Sequence, residues 1–180
     1  YETEGEKIKA TLDFVQNEIR YLGLESGIGS YKPFSPNQVF KQRFGDCKAK
    51  SLLMTTMLNN MGIEAYPMLV NTYLNQTIKD LLPSPKIFDH CVVKVLDGKI
   101  EHWYDPTLTN QGGYYNSTHF PNYAFGLVLK KDNDAFDEIM PYSENKIETI
   151  EEYTIEEIGK GANLKVVTTY NESEADNMRN

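Results

Sequence analysis

Phe44-Gly45-Asp46-Cys47-Lys48-Ala49-Lys50-Ser51-Leu52-Leu53-Met54 is the stretch from which the rest of the chain can be read. Asp46 has the short side-chain oxygen of an N-cap, able to accept a backbone N–H that the first helical turn leaves unpaired. The helix it predicts carries Ala49, Leu52, Leu53, Thr56, Met57 and Leu58 as an apolar band at spacings of three and four, and it stops at Gly62. A band that broad belongs to a central, largely buried helix. Cys47 then lies in the first turn, where the positive end of the helix dipole favours thiolate over thiol, and the thiolate is the nucleophile. A lone cysteine is more often core packing than chemistry, so its partners decide its reading.

Those partners lie in Phe88-Asp89-His90-Cys91-Val92-Val93-Lys94-Val95 and Ile100-Glu101-His102-Trp103-Tyr104-Asp105-Pro106-Thr107, two β-rich runs joined through Asp97-Gly98. Asp-Gly between such runs predicts a hairpin with a two-residue type I′ loop. With Asp97 and Gly98 as the loop, paired positions sum to 195: Leu96 faces Lys99, Val92 faces Trp103 and His90 faces Asp105. Directly opposed side chains are close enough for a carboxylate–imidazole hydrogen bond. Asp105 would fix the tautomer of His90 and stabilise its imidazolium, leaving the other ring nitrogen to take a proton from a thiol. Cys47, His90 and Asp105 are therefore the candidate catalytic triad.

These blocks resemble the transglutaminase-like superfamily of papain-fold cysteine enzymes, and more narrowly the bacterial transglutaminase-core domains flanked by β-rich domains of unknown function. The carrying motifs are Arg43-Phe44-Gly45-Asp46-Cys47-Lys48, Phe88-Asp89-His90 and Trp103-Tyr104-Asp105-Pro106-Thr107, with Ile19-Arg20-Tyr21, the Pro33 to Phe40 approach and Met61-Gly62-Ile63-Glu64-Ala65 as flanking matches. The resemblance covers roughly residues 5 to 130. It implies an α+β, papain-like core in which a central helix bearing Cys47 packs on an antiparallel sheet bearing His90 and Asp105. It also implies Cys47 as nucleophile, His90 as base and Asp105 as orienting carboxylate, acting through a thioester on a peptide or protein amide. It places such a chain in the periplasm or elsewhere outside the cytoplasm, between flanking β-domains. Ala49, where these domains often carry an acidic residue, and Cys91, where a small residue is usual, depart from the pattern. The competing class is a catalytically silent binding or scaffold module.

Working outward, the 180 residues are 40% hydrophobic and contain no run long enough to span a membrane. Beginning at Tyr1 without an initiator Met or a signal-like stretch, the chain reads as a piece of something longer. A net charge of −8 argues against a nucleic-acid groove built on positive charge. No phosphate-cradling glycine motif occurs, and thiol acyl transfer needs no cofactor. Two cysteines are too few for a disulfide framework. Strand alternation sends Cys91 to the face opposite His90, hence away from Cys47, so both are expected as free thiols. A zinc site from Cys47, Cys91, His102 and His119 is a weaker alternative, lacking close ligand spacing.

Ile8, Leu12, Val15, Ile19 and Leu22 predict an amphipathic helix over Glu4 to Leu22. Gly23 to Pro33 reads as a loop and Ser35-Pro36 as the start of a short helix. The Cys47 N–H is a natural oxyanion donor, with Gln42 and Tyr21 as candidates for the second. Ile63 to Thr72 reads as a buried strand, with Pro67 marking an edge or bulge. Asn71 to Lys86 is a long loop placed to border the site. Tyr123 to Leu129 closes the sheet, and the aromatics Tyr114, Tyr115, Phe120 and Tyr123 read as packing. Glu148 to Glu157 and Leu164 to Tyr170, joined through Gly159-Lys160-Gly161, read as the opening of a separate β-rich domain. The expected division is 1–140 for the core and 141–180 for that domain.

Overall fold

The computed structural model describes residues 2–23, 27–141 and 145–180. Residues 24–26 of the expected Gly23 to Pro33 loop, and residues 142–144 beside the expected domain boundary, lie outside them. Helix α1, Glu4–Glu18, starts at a capping box in which the Glu6 N–H donates to Thr3 Oγ1 and the Thr3 N–H donates to Glu6 Oε2. Its Ile8, Leu12 and Val15, with Ile19 just past its end, are fully buried as the spacing predicts. Strand β1, Arg20–Tyr21, follows; α2, Pro36–Gln42, is capped by Ser35 with Pro36 in its first turn. Strand β2, Phe44–Gly45, pairs in parallel with β1 and sets Tyr21 opposite Gly45.

Helix α3, Cys47–Asn60, has Asp46 as its N-cap, the carboxylate accepting the Ala49 N–H at 2.9 Å. Gly62, at φ +82°, closes it with a Schellman arrangement: the Ile63 N–H donates to Leu58 O and the Gly62 N–H to Asn59 O. Its buried set differs from the expected band. Lys50, Ser51, Met54 and Thr55 are buried with Ala49, Leu53 and Leu58, whereas Leu52, Thr56 and Met57 are only half-buried. The helix is enclosed on most sides, and two of its buried polar residues, Lys50 and Ser51, meet backbone oxygens there. Lys50 Nζ donates to Ile19 O at 2.6 Å and Ser51 Oγ to Cys91 O at 2.8 Å.

Strands β3 (Glu64–Val70), β4 (His90–Asp97), β5 (Ile100–Tyr104), β6 (Phe125–Val128) and β7 (Asp137–Glu138) form one antiparallel sheet in the order β5-β4-β3-β6-β7. Pro67 thus lies in a central strand with continuous register to β4, not at an edge or bulge. Its carbonyl accepts the Leu129 N–H, so its nitrogen also faces the β6 side, and the last β6 bridge is one residue further on, at Met68 with Val128. The missing donor therefore falls where β6 pairing ends. One sheet face, with Ala65, Val93, Val95 and Tyr104, packs on α1 and α3. The other, with Met68, Val70, Val92 and Val128, packs on Phe120 and Ile139.

Among the described residues, strands β8, Ile147–Ile155, and β9, Ala162–Tyr170, pair only with each other, and they are exposed over nearly their whole length. Helix α4, Glu172–Arg179, which the sequence reading missed, follows them; its Asp176 carboxylate accepts the Gly112 N–H at 2.8 Å.

Candidate active site

The hairpin that proposes the His–Asp pair has a different register from the expected one. Its bridges are Asp97 with Ile100, Val95 with His102 and Val93 with Tyr104, so positions sum to 197 and the loop is Gly98-Lys99. Only Gly98 of these two has positive φ, +62°, the sign pattern of a type II′ turn and not I′. Asp105 is consequently diagonal to His90 across the pair instead of directly opposite it. The side chains still meet: His90 Nε2 is 2.8 Å from Asp105 Oδ2.

Asp105 is almost fully buried and surrounded by donors. Its Oδ2 also accepts the Tyr123 hydroxyl at 3.1 Å, and its Oδ1 accepts the Thr107 N–H at 2.9 Å and the Thr107 hydroxyl at 2.6 Å. Burial alone would raise the carboxyl, but the hydrogen bond and charge of His90 and the two bonds from Thr107 hold it below the usual carboxylate range. The Asp105 carbonyl accepts the Gln16 side-chain amide at 2.9 Å, and the same amide reaches Gln111 Oε1 at 2.7 Å. The Tyr123 ring stands edge-on to His90 with centroids 5.9 Å apart.

With Nε2 committed to Asp105, Nδ1 is the ring nitrogen left for Cys47. Burial of the ring works against its charged form. Side-chain hydrogen bonds with Asp105 and with Cys47, and the negative charges of both, outweigh that penalty, and His90 is pushed up to about 10. Cys47 itself occupies the first position of α3, mostly buried, with the Lys48 ammonium paired to Asp46 beside it.

Cys91 is not directed away from Cys47. Alternation along β4 puts it with Val93 and Val95 on the α3 face, and its backbone carbonyl accepts the hydroxyl of Ser51, one helical turn beyond Cys47. His90 reaches Cys47 around the end of the strand instead. Burial, with the Cys47 charge nearby, pushes the Cys91 thiol up to about 12, and both cysteines are free thiols. Lys50, fully buried, is pulled down to about 8 by burial, an effect that Asp105 opposes.

The residues missed in the sequence are those that hold Asp105: Gln16 and Tyr123, far away in the chain, and Thr107 next to it. Thr107 was detectable, since Asp-Pro-Thr sets up a side chain that caps its own turn. Gln42, a candidate oxyanion donor, spends its amide on Phe44 O at 2.9 Å. Tyr21 is about half exposed in β1. Among the described residues, Cys47, Cys91, His102 and His119 do not gather into a metal-binding group.

The sequence model of the transglutaminase-like superfamily matches residues 1–116, which include all three residues of the cluster. A comparison with curated proteins returned no match. Among solved structures, a crystal structure of a candidate protease from Parabacteroides distasonis superposes with a TM-score of 0.57 at 16% identity. The match covers 77% of this chain but only 25% of that one, and at this identity it speaks to the fold alone.

Proposed function

Because the chain belongs to the transglutaminase-like superfamily, we propose that it is a cysteine acyl-transfer enzyme acting on peptide or protein amides, with Cys47 as nucleophile, His90 as proton carrier and Asp105 as the carboxylate that orients it. The observation that carries this reading is the buried Asp105 carboxylate bound to Nε2 of His90, with Cys47 at the N-terminus of α3 near enough to contribute to the raised basicity of the imidazole. A raised imidazole basicity beside a thiol favours transfer of the thiol proton to nitrogen.

In the reaction, Sγ of Cys47 attacks the amide carbon and the C–N bond of the tetrahedral intermediate breaks. The proton carried by His90 leaves with the amine, and a thioester remains on Cys47. Water or an amine, giving a proton to His90, then attacks the thioester; the C–S bond breaks, the acyl group leaves as a carboxylic acid or a new amide, and Cys47 and His90 are left with the proton they began with. The backbone N–H of Cys47, unpaired within the first helical turn, faces the developing oxyanion. The extracytoplasmic setting and the reading of β8 and β9 as the start of a further β-rich domain belong to the same proposal and rest on the family likeness.

The test is the pH dependence of Cys47 alkylation by iodoacetamide, followed by mass spectrometry, in the native chain and in His90→Ala. Rapid alkylation near pH 6 that His90→Ala removes supports the thiolate–imidazolium pair and justifies a screen of peptide amides. If Cys47 behaves as an ordinary thiol in both chains, the domain is a binding module.

A further inference from the structure

The chain bends sharply just before β6. The Tyr123 N–H donates to Pro121 O at 3.1 Å and the Phe125 N–H to Tyr123 O at 2.7 Å. Ala124, buried at φ +63°, holds a left-handed conformation that a non-glycine residue keeps only where its surroundings impose it. Here its N–H donates to Asn122 Oδ1 at 3.0 Å and its carbonyl accepts the Ile139 N–H at 2.8 Å. The bend seats the Tyr123 ring edge-on to Phe120, with centroids 5.5 Å apart, and edge-on to His90 at 5.9 Å. Tyr123 lies beyond the residues that carry the superfamily match.

Its hydroxyl donates at 3.1 Å to Asp105 Oδ2, the oxygen that also lies 2.8 Å from His90 Nε2. Burial and the charge of Asp105, with Asp89 nearby, push the hydroxyl above its ordinary range, so it stays protonated and acts as a donor. The other oxygen, Oδ1, takes the two donors of Thr107. With the Asp105 side chain 2% exposed, these four donors stand in for water around the carboxylate. Two donors on one oxygen compete for its electron density. The tyrosine hydroxyl stabilises the carboxylate whether or not His90 is charged, so it loosens the hold of Asp105 on the imidazolium. An imidazolium that must give up a proton is most effective when its acidity lies near the working pH, and His90 already stands well above it.

We propose that Tyr123 is a positioning residue of the acyl-transfer site. By sharing Asp105 Oδ2 with His90 it keeps the imidazolium acidic enough to hand its proton to the leaving amine, and its ring fixes the plane of the imidazole. This rests on the acyl-transfer reading of the preceding subsection.

The test follows the His90 ring by NMR titration and Cys47 by the pH profile of iodoacetamide alkylation, in the native chain and in folded Tyr123→Phe and Tyr123→Leu. Tyr123→Phe keeps the ring and leaves Oδ2 to His90 alone, and His90 is expected to titrate roughly half to one pH unit higher. A site that had merely loosened would titrate lower, so the direction separates the two. Tyr123→Leu removes the ring as well, and alkylation of Cys47 near pH 6 is expected to slow by about tenfold as the imidazole loses its orientation. With Asp105→Asn in place, Tyr123→Phe is expected to leave His90 unmoved, because no carboxylate remains to be shared. A His90 in Tyr123→Phe that titrates at or below the native value overturns the proposal and leaves the acyl-transfer reading standing. The same holds for an upward shift that persists in Asp105→Asn, or for a native alkylation profile in Tyr123→Leu. A native Cys47 that alkylates as an ordinary thiol, unaffected by His90→Ala, overturns both.

Discussion

Replacing Asp105 by Asn tests the electrostatic core of the site. The carboxylate and the imidazolium are in direct contact, with Nε2 to Oδ2 at 2.8 Å. Two unit charges about 4 Å apart attract by roughly 4 kcal/mol at an effective dielectric constant near 20. That is equivalent to about three pKa units. His90 stands at about 10 in spite of its burial, so removal of the Asp105 charge is expected to bring it to its ordinary value or lower. The imidazolium then becomes the minor form at pH 7.5, and alkylation of Cys47 near neutral pH is expected to slow by between ten- and a thousandfold. The substitution is not silent for the fold either. Donors occupy both carboxylate oxygens, so the amide NH₂ must face either His90 and Tyr123 or the two donors of Thr107. A destabilisation of about 1–3 kcal/mol should accompany it. The assays are NMR titration of the His90 ring and the pH profile of Cys47 alkylation in folded protein. A His90 that still titrates above pH 9 in Asp105→Asn would refute the assignment of its basicity to that carboxylate.

Stability should carry opposing signatures of His90 and Lys50. His90 is raised from about 6.5 to about 10 in the folded chain, so its contribution is complete below pH 6.5 and is lost as pH rises through 10. Lys50 is lowered from 10.5 to about 8, so the unfolded chain binds more protons between those values and this group makes stability rise with pH there. Urea unfolding between pH 8 and 10.5 should therefore show a steeper loss of stability in Lys50→Met than in the native chain; equal slopes would discount the buried ammonium. Gln16→Leu removes the donor shared by the Asp105 carbonyl and Gln111; a loss of about 1–3 kcal/mol in chemical denaturation is expected. Gly45→Ala would set a Cβ 2.9 Å from that of Ala49, which is fully buried on α3. It should cost about 1–3 kcal/mol, and Ala49→Gly in the same chain should recover part of it; absence of recovery would place the conflict elsewhere.

The elements at the centre of the fold were legible because their signals are local. Asp46 caps α3 and Gly62 ends it through neighbours within a few residues, and the buried stripe of α1 follows from its spacing alone. What the sequence concealed depends on contacts between distant segments. Lys50 reads as a solvated lysine until the end of α1 delivers Ile19 O to it, 31 residues away. Gln16 looks like a polar position on an amphipathic helix until it meets the Asp105 carbonyl, 89 residues away. Tyr123, read as ordinary aromatic packing, supplies a hydroxyl to Asp105 as well. Pro67 misled because its effect concerns one side of a strand over one residue, while β3 as a whole is central.

The His–Asp pairing was legible in spite of a wrong register, and the reason is parity. Sliding a two-residue loop from Asp97-Gly98 to Gly98-Lys99 changes the sum of paired positions by two, from 195 to the observed 197. Side chains alternate with a period of two, so every residue keeps its face and only its opposite number changes. A loop with one residue more or fewer would have sent His90 and Asp105 to opposite faces. The slide leaves the two side chains diagonal, with backbones too far apart for contact by direct opposition and within reach only of side chains that lean toward each other. Asp105 can do so because it lies one residue past the end of β5, where its Oδ1 accepts the Thr107 N–H and its carbonyl the Leu108 N–H. Freed from the ladder and fixed by its own turn, it directs Oδ2 to His90. The Asp-Pro-Thr turn thus offsets the displacement in register, and the turn and the hairpin together set the geometry that neither specifies alone.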